Sequence, residues 1–224
     1  MKTRVIVPMK PLLASKSRLR GALPDEQRAA LALGMLNHVL GILGDIRDAD
    51  VVVAGGDPAV RSLCDRHGAL WRADEGQDLN RCLGREFALG QHEGAECLAF
   101  LPADLPIVTR RDIETFIERA ASARAVIVPD RHDAGTNGLL VRRECAIQFR
   151  LGENSFRTHS ESLTGLGIAH VVLRLPGLEL DLDTREDLVV LEQRSPGRAA
   201  ELLREGASAL ARAPEDSLPT RTVP

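Results

Sequence analysis

Apolar residues along the chain fall into two alternating rhythms. Short runs at 5–7 (Val-Ile-Val), 51–53 (Val-Val-Val), 69–72, 97–101 and 125–129 are separated by longer stretches in which apolar residues recur every three or four positions. The first rhythm is that of buried strands and the second that of amphipathic helices. Ala32, Met35, Leu36, Val39, Leu40 and Leu43 make the clearest helical face, and Ile113, Phe116 and Ile117 another. Helix starts are punctuated by Pro24 before Asp25 and Glu26, by Asp57-Pro58, by Thr109 with Asp112 three residues on, and by Thr184 with Glu186 and Asp187. These are the cap, proline and first-turn acid signals of helix N-termini. The first strand is expected to stop at Pro8, which cannot donate to a sheet ladder.

Further on, strand signals crowd together at 138–142 and 170–173, with a helical stretch at 155–163 between them. Residues 178–183, Leu-Glu-Leu-Asp-Leu-Asp, alternate with a period of two and predict a last strand. Strands alternating with helices define the α/β class. The expectation is a three-layer fold, a mostly parallel sheet with helices on both faces and an antiparallel addition. Residues 1–193 are expected to form this domain. Beyond them, 194–224 make a C-terminal extension, helical as far as 211 and mobile from Pro214 onward.

Composition narrows the partners. With 224 residues, 44% hydrophobic and 27% charged, the chain suits one sizeable α/β domain. A formal charge of -3 gives no overall attraction to nucleic acid or an anionic membrane, so a basic site must be local. Aromatic content of 3% leaves little for stacking on single-stranded bases. The four cysteines form no C-x-x-C pair, and no apolar leader or bilayer-length segment occurs. A cytoplasmic protein with reduced thiols is expected.

Three loops leave the ends of expected strands, and in a parallel sheet all three would meet at the carboxyl edge where α/β proteins bind ligands. The first carries Lys10, Lys16 and Arg18 in V-I-V-P-M-K-P-L-L-A-S-K-S-R. Alone it reads equally as a solvated basic loop. The second is P-A-D-L-P, with Asp104 held between two prolines, either a turn residue or a ligand for a hard cation. The third holds Asp181 and Asp183, which share a face if extended. Cations facing two or three carboxylates suit a nucleoside triphosphate with Mg²⁺. Neither G-x-x-x-x-G-K-[ST] nor G-x-G-x-x-G is present, which counts against P-loop and dinucleotide-binding enzymes. The G-T-N-G turn at 135–138 and the G-E-N-S-F-R helix start at 152–157 are candidate anion cradles, and equally a hairpin turn and an ordinary N-cap. His132 and His159 are expected in surface or capping roles rather than as acid–base groups, since an ionised phosphate nucleophile needs no general base.

These segments together resemble the guanylyltransferases of coenzyme F420 biosynthesis, which have a MobA-like nucleotidyltransferase fold. The resemblance is carried by V-P-M-K-P-L-L-A-S-K-S-R-L, L-P-A-D-L-P, P-D-R-H-D-A-G-T-N-G-L-L, G-E-N-S-F-R-T-H and L-D-L-D-T-R-E-D-L, in family order. It implies transfer of GMP from GTP to a three-carbon phospho-acid (3-phospho-D-glycerate, phosphoenolpyruvate or 2-phospho-L-lactate), with Mg²⁺ and release of pyrophosphate. The product would pass to the next transferase of the pathway, and a homodimer is a family expectation.

By the same resemblance Lys10, Lys16 and Asp104 are the expected catalytic residues. Pro8, Lys10, Lys16, Arg18, Asn80, Pro102 and Ala103 would hold the nucleotide. Thr136, Gly152 and Ser155 would hold the acceptor, and Asp104, Asp183 and Asp181 the metal. Gly55-Gly56 departs from the Ser and Asp usual after the second strand, and Leu23 replaces a capping Ser. Related enzymes acting on a sugar phosphate or the molybdenum cofactor are the alternative within the fold. Their L-A-G-G-x-S-x-R-M-G loop is absent here. A non-catalytic nucleotide-binding module is the other alternative.

Overall fold

The computed structural model describes residues 1–213 except Glu75 and Gln77. The expected mobile tail at 214–224 lies outside the described residues. The chain runs β1 (Thr3–Met9), α1 (Asp25–Gly44), β2 (Ala49–Gly55), α2 (Pro58–His67), β3 (Leu70–Arg72), α3 (Leu79–His92), β4 (Cys97–Phe100) and α4 (Arg110–Glu118). It continues through β5 (Ala125–Pro129), β6 (Thr136–Arg142), α5 (Ser155–Gly165), β7 (His170–Val172), α6 (Pro176–Glu179), α7 (Arg185–Arg194) and α8 (Arg198–Ala211).

The strands form one sheet in the order β3-β2-β1-β4-β6-β5-β7. All neighbours are parallel except that β6 runs antiparallel to both β4 and β5. The antiparallel element thus lies inside the sheet, while the edge strand β7 is parallel to β5. Alternate side chains of each strand feed two cores. Val5 and Val7 pack with α1, α2 and α4 on one face, and Ile6 packs with α3 and the Leu163 end of α5 on the other. Helices on both faces bury the sheet and make the three layers.

Two details differ from the sequence pattern. β1 continues through Pro8 to Met9, pairing with Ala54 and Gly55 of β2. On its other side β4 pairs only as far as Ile6, so no partner there asks for the missing Pro8 N–H. The second is a correction: 178–183 is not a strand. Pro176–Glu179 is a short helix, and the chain then runs past the end of β4, where Leu182 N–H donates to the Asp104 carbonyl at 3.1 Å. Leu178, Leu180 and Leu182 are fully buried, so the period of two records burial against helices rather than pairing in a ladder.

The segment beyond residue 193 is helical from Arg198 and packs on α1. A methyl group on Gly206 would sit 1.7 Å from the Ala30 carbonyl oxygen, and one on Gly34 would sit 2.0 Å from that of Leu202. The helices therefore approach backbone to backbone, which only glycine allows. Among the described residues no helix is long and apolar enough to cross a membrane.

Candidate active site

β1 and β4 are adjacent and parallel, so the loops leaving them open side by side at the carboxyl edge. The β1 loop folds into two 3-10 turns, Leu12–Ala14 and Ser17–Leu19. Between them Lys16 adopts a left-handed backbone at φ 52° and ψ 38°, costly for a residue with a Cβ. The surroundings hold it there. Arg28 of α1, with its side chain fully buried, donates to the Ser15 carbonyl and pairs with Asp25. Asp57, the N-cap of α2, accepts from Leu12 N–H at 3.0 Å.

This turn carries the Lys16 side chain inward. Its ammonium pairs with Asp104 and lies 2.8 Å from Asp183 Oδ1. Arg18 approaches Asp183 Oδ2 at 3.6 Å from a mostly exposed position. Burial alone would lower the Lys16 pKa, but the two carboxylates outweigh it and raise it, so the ammonium stays charged. Burial likewise opposes ionisation of Asp183, yet Lys16 and Arg18 hold its carboxyl below the usual range.

Asp181 behaves oppositely. Burial, and then the neighbouring Asp104 carboxylate, push its carboxyl well above the ordinary value. Asn137 at the start of β6 donates to Asp181 Oδ1 at 3.1 Å and also to the Leu178 carbonyl at 3.1 Å. Asp183 itself is placed by Asp187, whose carboxylate accepts from the N–H groups of Asp183 and Thr184 at 3.0 and 2.7 Å while capping α7.

Asp104, Asp181 and Asp183 each bring one oxygen within 4.8 Å of the others. Asp104 Oδ1 is buried and has no hydrogen-bond partner among the described residues. Three convergent carboxylates, one with an orphaned buried oxygen, fit a hard divalent cation. The donor set is all oxygen, which suits magnesium or manganese rather than zinc.

A cavity of about 300 Å³ adjoins these groups. Of the expected nucleotide and metal residues, Pro8, Lys10, Lys16, Pro102, Ala103, Asp104 and Asp183 line it, together with Ala54, Asp74, Leu79 and Cys82. Asn80, expected at the nucleotide, has both ends of its amide on Leu151 instead. It accepts from Leu151 N–H at 2.7 Å and donates to the Leu151 carbonyl at 3.2 Å.

The expected acceptor residues also come together. Ser155 N–H donates to the Gly152 carbonyl at 3.2 Å, and Phe156 N–H donates to that of Ala134, two residues before Thr136. Gly152 has φ 135°, a conformation that favours glycine. His159, expected in a surface or capping role, is fully buried and bonds Thr136 Oγ1 at 3.0 Å. His132 is exposed on the β5–β6 loop. Arg28 escaped the sequence reading, while Asn137, His159 and Asp187 appear there only as a turn residue, a surface or capping group and a first-turn acid. Arg28 and His159 do sit on the apolar faces of their helices, and Asn137 sits inside G-T-N-G.

A mostly parallel sheet with cations and carboxylates gathered on its carboxyl edge is the layout of a protein that handles a nucleotide with its metal. Several solved structures share the fold. One is a Desulfovibrio desulfuricans protein described as a nucleotide-diphospho-sugar transferase, with TM-score 0.74 and 18% identity, covering 94% of this chain and 97% of that one. Another is CMP:2-keto-3-deoxy-manno-octonic acid synthetase complexed with CTP, with TM-score 0.59 and 14% identity over 87% of this chain and 98% of that one.

The sequence is more specific. The profile of the family described as "Guanylyl transferase CofC like" matches residues 3–205. Phosphoenolpyruvate guanylyltransferase of Rubrobacter xylanophilus is 39% identical over 86% of this chain and 94% of its own. That of Sphaerobacter thermophilus is 36% identical over 88% and 95%. The chain belongs to the CofC-like guanylyltransferase family, and the match extends into α8.

Proposed function

We propose that the protein transfers GMP from GTP to the phosphate of a three-carbon phospho-acid, with phosphoenolpyruvate the first candidate, and that this reaction serves coenzyme F420 assembly. The observation that carries the reading is the Lys16 ammonium set against Asp104 and Asp183 at the mouth of the cavity. A triphosphate needs both charge signs here: cations for its oxygens, and carboxylates for the metal it brings.

Lys10, Lys16 and Arg18 bind the triphosphate, and the Pro102-Ala103 backbone borders the nucleoside. Asp104, Asp183 and Asp181 would hold Mg²⁺, which supplies charge neutralisation at the α-phosphate and the departing pyrophosphate. An ionised oxygen of the acceptor phosphate attacks the α-phosphorus. A new P–O–P bridge forms, the bond from the α-phosphorus to the bridging oxygen breaks, and the electron pair leaves with pyrophosphate. No proton has to be removed from the nucleophile, so catalysis rests on alignment and charge stabilisation. Thr136, Ser155 and the Gly152 backbone hold the acceptor. The Ser155 end of α5 adds the positive end of the helix dipole, which favours an anion placed there.

The names of the relatives favour phosphoenolpyruvate over 3-phospho-D-glycerate and 2-phospho-L-lactate. Incubation with GTP, Mg²⁺ and each acid in turn tests the reading. Pyrophosphate release with phosphoenolpyruvate is expected; release with none of the three acids overturns the reading.

A further inference from the structure

His159 lies one turn along α5 from Ser155, and its two ring nitrogens have different partners. Nε2 is 3.0 Å from the backbone nitrogen of Arg150, and Nδ1 is 3.0 Å from Thr136 Oγ1. A backbone N–H can only donate, so Nε2 accepts. A neutral imidazole has one proton, which is then on Nδ1. The ring is neutral because burial, reinforced by the charge of Arg150, pushes its pKa down to about 4. Nδ1–H therefore donates to the Thr136 oxygen, and the hydroxyl hydrogen of Thr136 is left to serve another acceptor.

The placement of Thr136 is itself built. Val128 of β5 pairs with Gly138 of β6 but Pro129 pairs with Thr136, so Asn137 is one residue extra. A bulge of this kind interrupts the ladder and re-aims the side chains beside it. Asn137 reaches Asp181 on one side, and Thr136 reaches His159 under α5 on the other. The Arg150 N–H held by His159 lies two residues before Gly152, and Leu151 between them is gripped by Asn80. One imidazole thus joins the three segments that carry Thr136, Gly152 and Ser155.

We propose that His159 is a positioning residue for the acceptor. Its Nδ1–H forces the Thr136 hydroxyl to act as a donor toward an anionic group of the phospho-acid, while its Nε2 fixes the backbone leading to Gly152. This rests on the guanylyltransferase reading above. An ordinary buried histidine would serve only the packing of α5, with Phe149 edge-on at 6.3 Å between ring centroids.

A double-mutant cycle with KM measured for both substrates separates these roles. Thr136→Val and His159→Gln are each expected to raise the acceptor KM about tenfold, the usual size of one hydrogen bond to a charged group, with the GTP KM within about twofold of wild type. Combined, they should be no worse than the worse single variant, because both remove the same donated hydrogen. His159→Asn, which can place an amide N–H where Nδ1 sits, should keep a lower acceptor KM than His159→Gln. It also carries the cycle if His159→Gln does not fold. ¹⁵N shifts of the wild-type imidazole, assigned by difference from the Asn variant, should show Nδ1 protonated. Additive effects, an equal rise in the GTP KM, or a proton on Nε2 overturns the proposal alone. An inactive wild-type enzyme with all three acids overturns the guanylyltransferase reading and this proposal with it.

Discussion

Lys16 Nζ sits 2.8 Å from Asp183 Oδ1 although the two residues are 167 positions apart in the chain. The same ammonium pairs with Asp104, so one cation holds together two carboxylates that would otherwise repel at this distance. Removing a carboxylate and removing the lysine should therefore differ in their effects on stability.

Asp104→Asn is expected to lower turnover by about two to three orders of magnitude, the scale of losing a preorganised electrostatic group. The melting temperature should stay within a few degrees of wild type, because Lys16 keeps Asp183 and one buried negative charge is gone. Steady-state kinetics beside a thermal melt checks this. A variant that loses its fold together with its activity contradicts the assignment.

Asn80→Ala removes both bonds to Leu151 but no group lining the cavity. The acceptor KM should rise about three- to tenfold, in proportion to one or two ordinary hydrogen bonds. The GTP KM should change less. A larger effect on GTP would return Asn80 to the nucleotide.

Gly206→Ala drives a methyl group into the Ala30 carbonyl oxygen. A loss of about 3 kcal/mol or more is expected, at the upper end of overpacking costs, because backbone cannot step aside as a side chain can. Urea unfolding at pH 7 measures it. Unchanged stability would mean that α8 does not lie against α1 in solution.

Stability should fall in acid partly through His159. Its folded pKa of about 4 lies below the ordinary value of 6.5, so the unfolded chain takes up the proton first. The contribution is unchanged above pH 6.5, is lost progressively as pH falls, and is gone below about 4. At 1.36 kcal/mol per pKa unit this amounts to about 3 kcal/mol. Denaturant unfolding of wild type and His159→Gln at pH 7, 5 and 4 isolates it, since the variant cannot take up that proton. Parallel pH curves for the two proteins would contradict it.

Much of the fold was legible because strands and helices impose different periods on the same burial. The reading failed at 178–183 for a physical reason. Alternation reports which side chains are buried, and Leu178, Leu180 and Leu182 are buried by helices and by the end of the sheet, with no neighbouring strand to pair. At the site, the charged residues could be found because cations and carboxylates follow expected strand ends. The groups that fix them could not. Arg28 and His159 look like any polar residue on an apolar helix face until the turn above them is known. Asp187 announces itself only as a helix cap.

That cap has a wider reach. Asp187 holds the main chain of Asp183 with one oxygen, and with the other accepts from Arg131, in the loop leading to Thr136, at 2.6 Å. Arg131 N–H in turn donates to the Glu179 carbonyl at 2.9 Å. The segment proposed to face the triphosphate and the segment proposed to face the acceptor are thereby bolted to one frame. On the proposed reading these bonds set the spacing between the two segments in the free protein, and an acceptor would meet a gauge already in place.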